Sequence, residues 1–168
     1  MHVTMPELAF FFLTLPLCLW VAWTDLRFMT IHNRVNIAFF VIFAVSGLLL
    51  LPLEDFGLRI AVGGIALLVG FLLNAVRLMG GGDAKFLAAT LPFIASHDLG
   101  RFAFVMSFCL LAAVVVHRVA QRIPAIRRAT PEWISWSAGK RFPMGLGLAT
   151  GLSGFLAIRA FNLPVAGG

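Results

Sequence analysis

The sequence predicts an all-α protein, a polytopic transmembrane bundle of about six helices that forms a single domain over residues 1–168. Hydrophobic residues make up 61% of the chain and charged residues only 12%, whereas a soluble domain is about half apolar and about a quarter charged. The mean hydropathy is correspondingly high, at +0.98. Because a helix pairs its own backbone polar groups, apolar stretches of this kind cross lipid as helices.

Six apolar stretches carry this prediction. They lie at 5–24, 35–53, 58–79, 84–100, 101–119 and 142–162. Most of them approach the ~20 residues that a helix needs to cross a hydrocarbon core of ~30 Å. The fourth stretch is cleanly apolar only over 84–95. We therefore expect it either to include residues 96–98 in its length or to begin below the membrane surface.

The basic residues predict the orientation of the bundle. Ten of the thirteen Lys and Arg residues lie in the first, third and fifth connections between the stretches or at the stretch ends that border them. The positive-inside rule then places these three connections in the cytoplasm and both termini outside it. The long fifth connection carries Trp133 and Trp136 beside its cationic residues, a composition typical of contact with anionic lipid. Span-flanking residues thus account for the net charge of +6, and we expect no nucleic-acid partner.

The cysteine and histidine residues do not suggest a metal site. Cys18 and Cys109 lie inside separate apolar stretches, without the C-x-x-C spacing of a metal or redox motif. His2, His97 and His117 are scattered at the ends of the stretches. None of these residues has the spacing of a metal-ligand set, so the sequence predicts neither a bound metal nor a cofactor.

Two carboxylates stand at the ends of apolar stretches that are distant in sequence. Asp25 ends the first stretch, and Asp83 begins the fourth, directly after three glycines. On the predicted topology both lie at the cytoplasmic boundary, where two close carboxyl groups share a proton and titrate together. One member of such a pair can activate water as a base while the other protonates a peptide carbonyl. That chemistry needs no metal ion.

Structural interpretations of the same residues remain open at this point. Asp83 is well placed to be the N-cap of a helix that begins at Ala84, with the three glycines as a turn. Asp25 alone reads as an interfacial charge after a span. The glycines also allow unusual backbone angles and a close approach of a substrate chain, and for that reason we expect Gly82 to adopt a positive φ and to resist substitution.

The stretch GGGDAK resembles one motif of a known family. It matches the G-x-G-D-x-K pattern of the type IV prepilin peptidases, with Gly80, Gly82, Asp83 and Lys85 at the motif positions. The resemblance implies that Asp83 is catalytic and that the two glycines and Lys85 support it.

The stretch DLRFMTIHN is similar to the second motif of that family, D-x-R followed by I-P-N. Asp25, Arg27, Ile31 and Asn33 stand in register with it, and His32 stands where the family usually has proline. The resemblance implies that Asp25 is the second catalytic residue, supported by Arg27 and Asn33. We expect Asn33 to cap the second helix.

Taken together, the two motifs imply a function. Members of this family are aspartic endopeptidases of the bacterial inner membrane that cut the basic leader from prepilin or pseudopilin substrates at the cytoplasmic face. Longer members carry an N-terminal region with paired cysteines and also methylate the new N-terminus. This sequence has no cysteine pairs, so we expect no N-methyltransferase activity. It most resembles the short form associated with Flp-type, tight-adherence pili. The oligomeric state is not predicted.

Two other function classes are compatible with the composition. A small proton- or cation-coupled transporter would use Asp25 and Asp83 to bind its ion. Such a protein is expected to place its carboxylates near the bilayer midplane and to contain inverted repeats, whereas both aspartates here fall at the ends of stretches. A non-catalytic assembly protein for a pilus or secretion system would tolerate Asp→Asn at both positions.

Overall fold

The computed structural model describes residues 5–139 and 141–161, and within these residues it contains helices and turns but no strand. The described residues form seven α-helices in this order: α1 Met5–Phe28, α2 Asn33–Leu50, α3 Leu53–Ala75, α4 Gly81–Thr90, α5 Leu99–Ala120, α6 Pro124–Ala129 and α7 Met144–Ala160. Three short 3-10 turns, at Leu91–Phe93, Ser96–Asp98 and Ile134–Trp136, complete the described structure. The prediction of an all-α fold is confirmed.

Among the residues that the structure describes, four segments are long and apolar enough to cross a membrane. They are α1, α2, α3 and the segment Ser96–Ala120, which contains α5. They correspond to the first, second, third and fifth predicted spans. Helix α7 is apolar but has only 17 residues, or ~26 Å at 1.5 Å per residue. The chain is therefore a membrane protein, while the count of six spans and the outside location of both termini stay predictions.

The fourth predicted span, 84–100, is not one helix, and this prediction is wrong. Helix α4 begins three residues earlier than expected, at Gly81, and has ten residues, or ~15 Å. It ends at Thr90, two residues before Pro92. Proline lacks the backbone N–H that would continue the helix, and its ring clashes with the carbonyl four residues earlier. Two 3-10 turns then lead to α5.

Phenylalanine side chains hold α4 and the following turn against α1 and α2. The ring of Phe93 packs edge-on against Phe10 of α1, with the ring centroids 5.3 Å apart. It lies equally close, at 5.3 Å, to Phe43 of α2. Phe39 of α2 makes a similar contact with Phe86 of α4, at 5.4 Å. All five rings are almost completely buried, so this aromatic cluster fixes the position of α4 within the bundle.

Small residues let α3 and α4 pack closely. A Cβ atom on Gly70 would lie 2.7 Å from the Cβ of Ala84, and one on Gly63 would lie 2.8 Å from the ring of Pro92. Seven residues separate the two glycines, so they occupy one face of α3. Packing of small residues is typical of helix contacts within membranes. It sets the start of α4, and with it Asp83, against the end of α3.

Candidate active site

A cavity of about 770 Å³ opens where α1 ends and where α4 and α7 begin. Helix α3 also contributes its C-terminal end and the loop that follows it. The polar side chains that line the cavity are Asp25, Thr30, Asn74, Arg77, Asp83 and Arg141. Two carboxylates and two guanidinium groups therefore share one cavity at one end of the bundle.

Asp25 lies in the last turn of α1 and is only 5% exposed. Its Oδ2 accepts a hydrogen bond of 2.6 Å from the backbone N–H of Gly145, and the N–H of Leu146 also donates to this carboxylate. These N–H groups belong to the first turn of α7, where a helix has unpaired donors and the positive end of its dipole. Asp25 is therefore held by α7 and is more than an interfacial charge.

Gly145 makes this contact possible because it has no side chain. A Cβ atom at this position would lie 2.9 Å from Oδ2 and 3.0 Å from Cγ of Asp25. Real Cβ atoms avoid such short contacts, so a larger residue would force the carboxylate or the helix to move. The two sequence motifs end far before Gly145, so they gave no signal for this contact.

Asp83 is the third residue of α4, and its carboxylate accepts a hydrogen bond from the backbone N–H of Gly80. The N-cap of α4 is Gly80, so the interpretation of Asp83 as the N-cap of a helix beginning at Ala84 is wrong. A side chain at the third position of a helix that accepts a hydrogen bond from the backbone N–H of the N-cap residue forms one half of a capping box. Burial raises the pKa of Asp83, and the bond from Gly80 opposes this shift.

The two carboxylates line the same cavity although they are distant in sequence. They are close enough to interact electrostatically. Asp25 is brought there by the end of α1, and Asp83 by the start of α4. A pair of this kind can share one proton between two carboxyl groups.

The three glycines before Asp83 differ from the sequence expectation. None of them has a positive φ, so the expectation that Gly82 uses this freedom is wrong. A Cβ on Gly82 would make only an ordinary contact with Ile31, at 3.5 Å, whereas a Cβ on Gly80 would lie 2.6 Å from Oδ2 of Asp83. Glycine is therefore required at position 80, because the carboxylate of Asp83 lies too close to leave room for a Cβ atom there.

Three further motif residues, Lys85, Asn33 and Arg27, lie outside the cavity, whereas Ile31 lines it. Lys85 donates a hydrogen bond of 3.1 Å from its Nζ to Oδ1 of Asn33, which joins the first turns of α4 and α2. Asn33 is the first residue of α2 and His32 is its N-cap, without a side-chain bond to the helix, so the expectation that Asn33 caps α2 is wrong. The guanidinium group of Arg27 lies over the rings of Trp23 and Phe28.

Sequence reasoning missed the loop between α3 and α4. The amide of Asn74 donates a hydrogen bond of 2.9 Å to the carbonyl of Met79, just before Gly80. Helix α3 ends in a Schellman motif: the N–H of Leu78 bonds to the carbonyl of Leu73, and the N–H of Arg77 bonds to that of Asn74. Its left-handed residue is Arg77, with φ 61°, where glycine is usual. The absence of glycine there removed the sequence signal.

A second left-handed residue borders the same cavity. Met29 has φ 54° and follows the last residue of α1. Its N–H bonds to the backbone carbonyl of Asp25 at 2.9 Å. Both Met29 and Arg77 line the cavity. The backbone is therefore strained at two helix ends that border the two carboxylates.

Within residues 5–139 and 141–161, no group of three or more His, Cys, Asp and Glu side chains could hold a metal ion. The chemistry available in the cavity is that of the paired carboxylates, the two arginines and Asn74.

Comparisons with known proteins agree with the two motifs. A sequence model of the type IV leader peptidase family matches residues 12–117, well over half of the chain. The matched region contains both Asp25 and Asp83 but ends before α7. Searches of curated proteins and of solved structures gave no match.

Proposed function

Because the chain belongs to the type IV leader peptidase family, we propose that it is a membrane aspartic endopeptidase that removes the basic leader of pilin-like substrates. The family implies protease activity in general. The observation that supports the specific chemistry is that Asp25 and Asp83 line one cavity and interact electrostatically. The substrate class follows from the motif resemblance: a short basic leader, a glycine and then an apolar helix.

The arrangement of the two carboxylates suggests a division of roles. In a pair that shares one proton, the protonated carboxyl group donates it to the scissile carbonyl oxygen, and the charged carboxylate takes a proton from water as the water oxygen attacks the carbonyl carbon. When the C–N bond breaks, the proton taken from water passes to the leaving amine, and the first proton returns from the tetrahedral intermediate to the carboxyl group that donated it. The dyad is thus restored.

The cytoplasmic face of a bacterial inner membrane is the proposed place of cleavage. The loops that carry Arg77 and Arg141 of the cavity lie in connections that the positive-inside rule assigns to the cytoplasm. A basic leader stays on the cytoplasmic side as well, because the positive-inside rule applies to its Lys and Arg residues. The substrates are prepilins or pseudopilins of Flp-type pili, and the partners of the outer helical surface are membrane lipids.

Co-expression with a candidate pilin-like protein tests this function. Wild-type protein should shorten the substrate by its leader, seen as a gel shift and as the mass of the new N-terminus. Asp25→Asn and Asp83→Asn should each abolish this shortening at normal membrane levels, because an amide cannot exchange the proton. Glu54→Gln, an exposed acid in the first turn of α3, is the control and should cleave normally.

The same experiment separates the remaining alternatives. Full processing by either Asp→Asn variant would remove that residue from the chemistry. A non-catalytic assembly protein would support pilus formation with both substitutions present, and a transporter would leave the leader intact in every sample. We also propose that the chain does not methylate its product, so the mass of the mature substrate should contain no additional methyl group.

A further inference from the structure

A second, apolar groove of about 540 Å³ lies beside the candidate active site, between α2 and α3, with α4 as its floor. Helices α2 and α3 are consecutive but make little contact with each other, because α4 packs against both. Its apolar walls include Ile37 and Phe40 of α2 and Leu67 of α3. At a helix diameter of about 10 Å and a rise of 1.5 Å per residue, this volume accommodates about one helical turn.

Asn36 supplies an unusual polar group in this groove. The side chain is only 6% exposed, and neither its Nδ2 nor its Oδ1 has a hydrogen-bond partner among the described residues. Buried polar groups are normally paired, so this amide indicates a missing partner with both an acceptor and a donor. A lipid acyl chain has neither, whereas a peptide backbone that leaves its helical conformation has both.

The groove and the cavity of the two aspartates are neighbours. Asn33 and Lys85 line the groove, and the hydrogen bond between them forms its boundary. Lys85 is two residues from Asp83, so the first turn of α4 separates the two spaces. Crossing a helix of about 10 Å takes about three residues of extended chain. A substrate cut at the aspartates therefore reaches the groove about three residues after the cleaved bond.

We propose, building on the proposed peptidase function, that this groove binds the start of the substrate's apolar helix and that Asn36 pairs with backbone groups of its first, unwound turn. The groove is thus a specificity site for the mature part of the substrate, distinct from the basic leader. Its α3 wall permits close approach of a helix, since a Cβ on Gly64 would meet nothing within 4 Å.

Gly64 also makes the proposal testable. Gly64→Leu places a side chain in the groove, because Gly64 lines it and a Cβ atom there would meet nothing within 4 Å. Gly57→Leu is the matched control: it lies on the same helix, its Cβ would likewise meet nothing within 4 Å, and it does not line the groove. Both changes favour the helix to a similar extent.

The measurement compares two probes made from one pilin-like protein. One is the full-length substrate in detergent, and the other is a peptide with the same leader that ends two residues after the cleaved bond. We expect Gly64→Leu to lower the ratio of full-length to peptide kcat/KM at least tenfold, mainly through KM. Asn36→Leu should lower the same ratio, and Gly57→Leu should leave it at the wild-type value.

Several outcomes would overturn the proposal. An unchanged ratio in Gly64→Leu, or an equal loss for both probes, would exclude the groove from substrate binding. A change in bound phospholipid or in oligomeric state with an unchanged ratio would assign the groove to lipid or to a second copy of the chain. If Gly64→Leu does not reach the membrane, the ratio of full-length to peptide kcat/KM in Asn36→Leu tests the proposal, and an unchanged ratio there would overturn it. If the wild-type protein cleaves neither probe, the peptidase function itself fails.

Discussion

The carboxylate of Asp25 is hydrogen-bonded at 2.6 Å to the backbone N–H of Gly145, a residue 120 positions later in the chain. The contact joins the end of α1 to the start of α7. The family match covers residues 12–117 and therefore contains both aspartates but not this partner. The position of the Asp25 carboxylate thus depends on the helix that follows the long basic connection.

Gly145→Ala should lower cleavage about 100-fold while the protein still reaches the membrane. The added methyl group would lie 2.9 Å from Oδ2 of Asp25, and a shift of a catalytic group by about 1 Å can cost this much. The measurement is kcat for a pilin-like substrate. Gly154→Ala on the same helix is the control, because its Cβ would meet nothing within 4 Å. Equal activity of the two variants would contradict the role of Gly145.

The glycines before Asp83 should differ in their tolerance to substitution. Gly80→Ala should reduce cleavage strongly, because its Cβ would lie 2.6 Å from Oδ2 of Asp83. Gly82→Ala should retain most activity, since its Cβ would make only an ordinary contact with Ile31. Side-by-side initial rates at matched membrane levels provide the check. The opposite order would show that Gly82 contacts the substrate, as the motif alone suggested.

The stability of the protein should depend on pH through Asp83. Burial raises its pKa above the ordinary value of 3.8, so folding disfavours the charged form. The free energy of unfolding contributed by this group is then highest below about pH 4 and falls as the pH rises through the folded-state pKa. Melting temperatures in detergent over this range should fall less steeply with pH for Asp83→Asn than for the wild type. Parallel curves would contradict the buried environment of Asp83.

Cysteine labelling should establish the orientation of the bundle. In a variant without Cys18 and Cys109, we expect a single cysteine at Ala125 to react with an impermeant reagent only from the cytoplasm. A single cysteine at Glu54 should react only from outside. The reason is that ten of the thirteen Lys and Arg residues lie in the predicted cytoplasmic connections or at the stretch ends that border them. Labelling of both positions from one side would overturn the predicted topology and the access of a leader to the site.

The long helices could be predicted from the sequence because hydropathy alone determines them. Helices α1, α2 and α3 lie close to their predicted stretches. The fourth stretch was predicted too long because Pro92 interrupts an otherwise apolar run. Proline lacks the backbone N–H that a helix needs, and hydropathy does not measure this loss. The six-span count and the orientation depend on lipid and remain predictions.

The candidate site could be predicted only in part. The two motifs identified Asp25 and Asp83 because their residues are local in sequence. The contact of Asp25 with Gly145 and the place of Asn74 depend on packing between distant segments, which no local pattern contains. The motif glycines were assigned to unusual backbone angles and to the approach of a substrate chain, whereas in the structure the carboxylate of Asp83 lies close to Gly80 and none of the three glycines has a positive φ. A sequence cannot distinguish these two reasons for a glycine.

The left-handed backbone at Met29 and Arg77 has a consequence for engineering this protein. Glycine at either position would relieve about 1–2 kcal/mol of backbone strain, so both would rank high in any search for thermostable variants. Both residues, however, border the cavity that holds the two carboxylates. Stabilising substitutions often reduce activity where a site depends on strain. A thermostable and active form should therefore be sought in the distant parts of the bundle, with these two helix ends left unchanged.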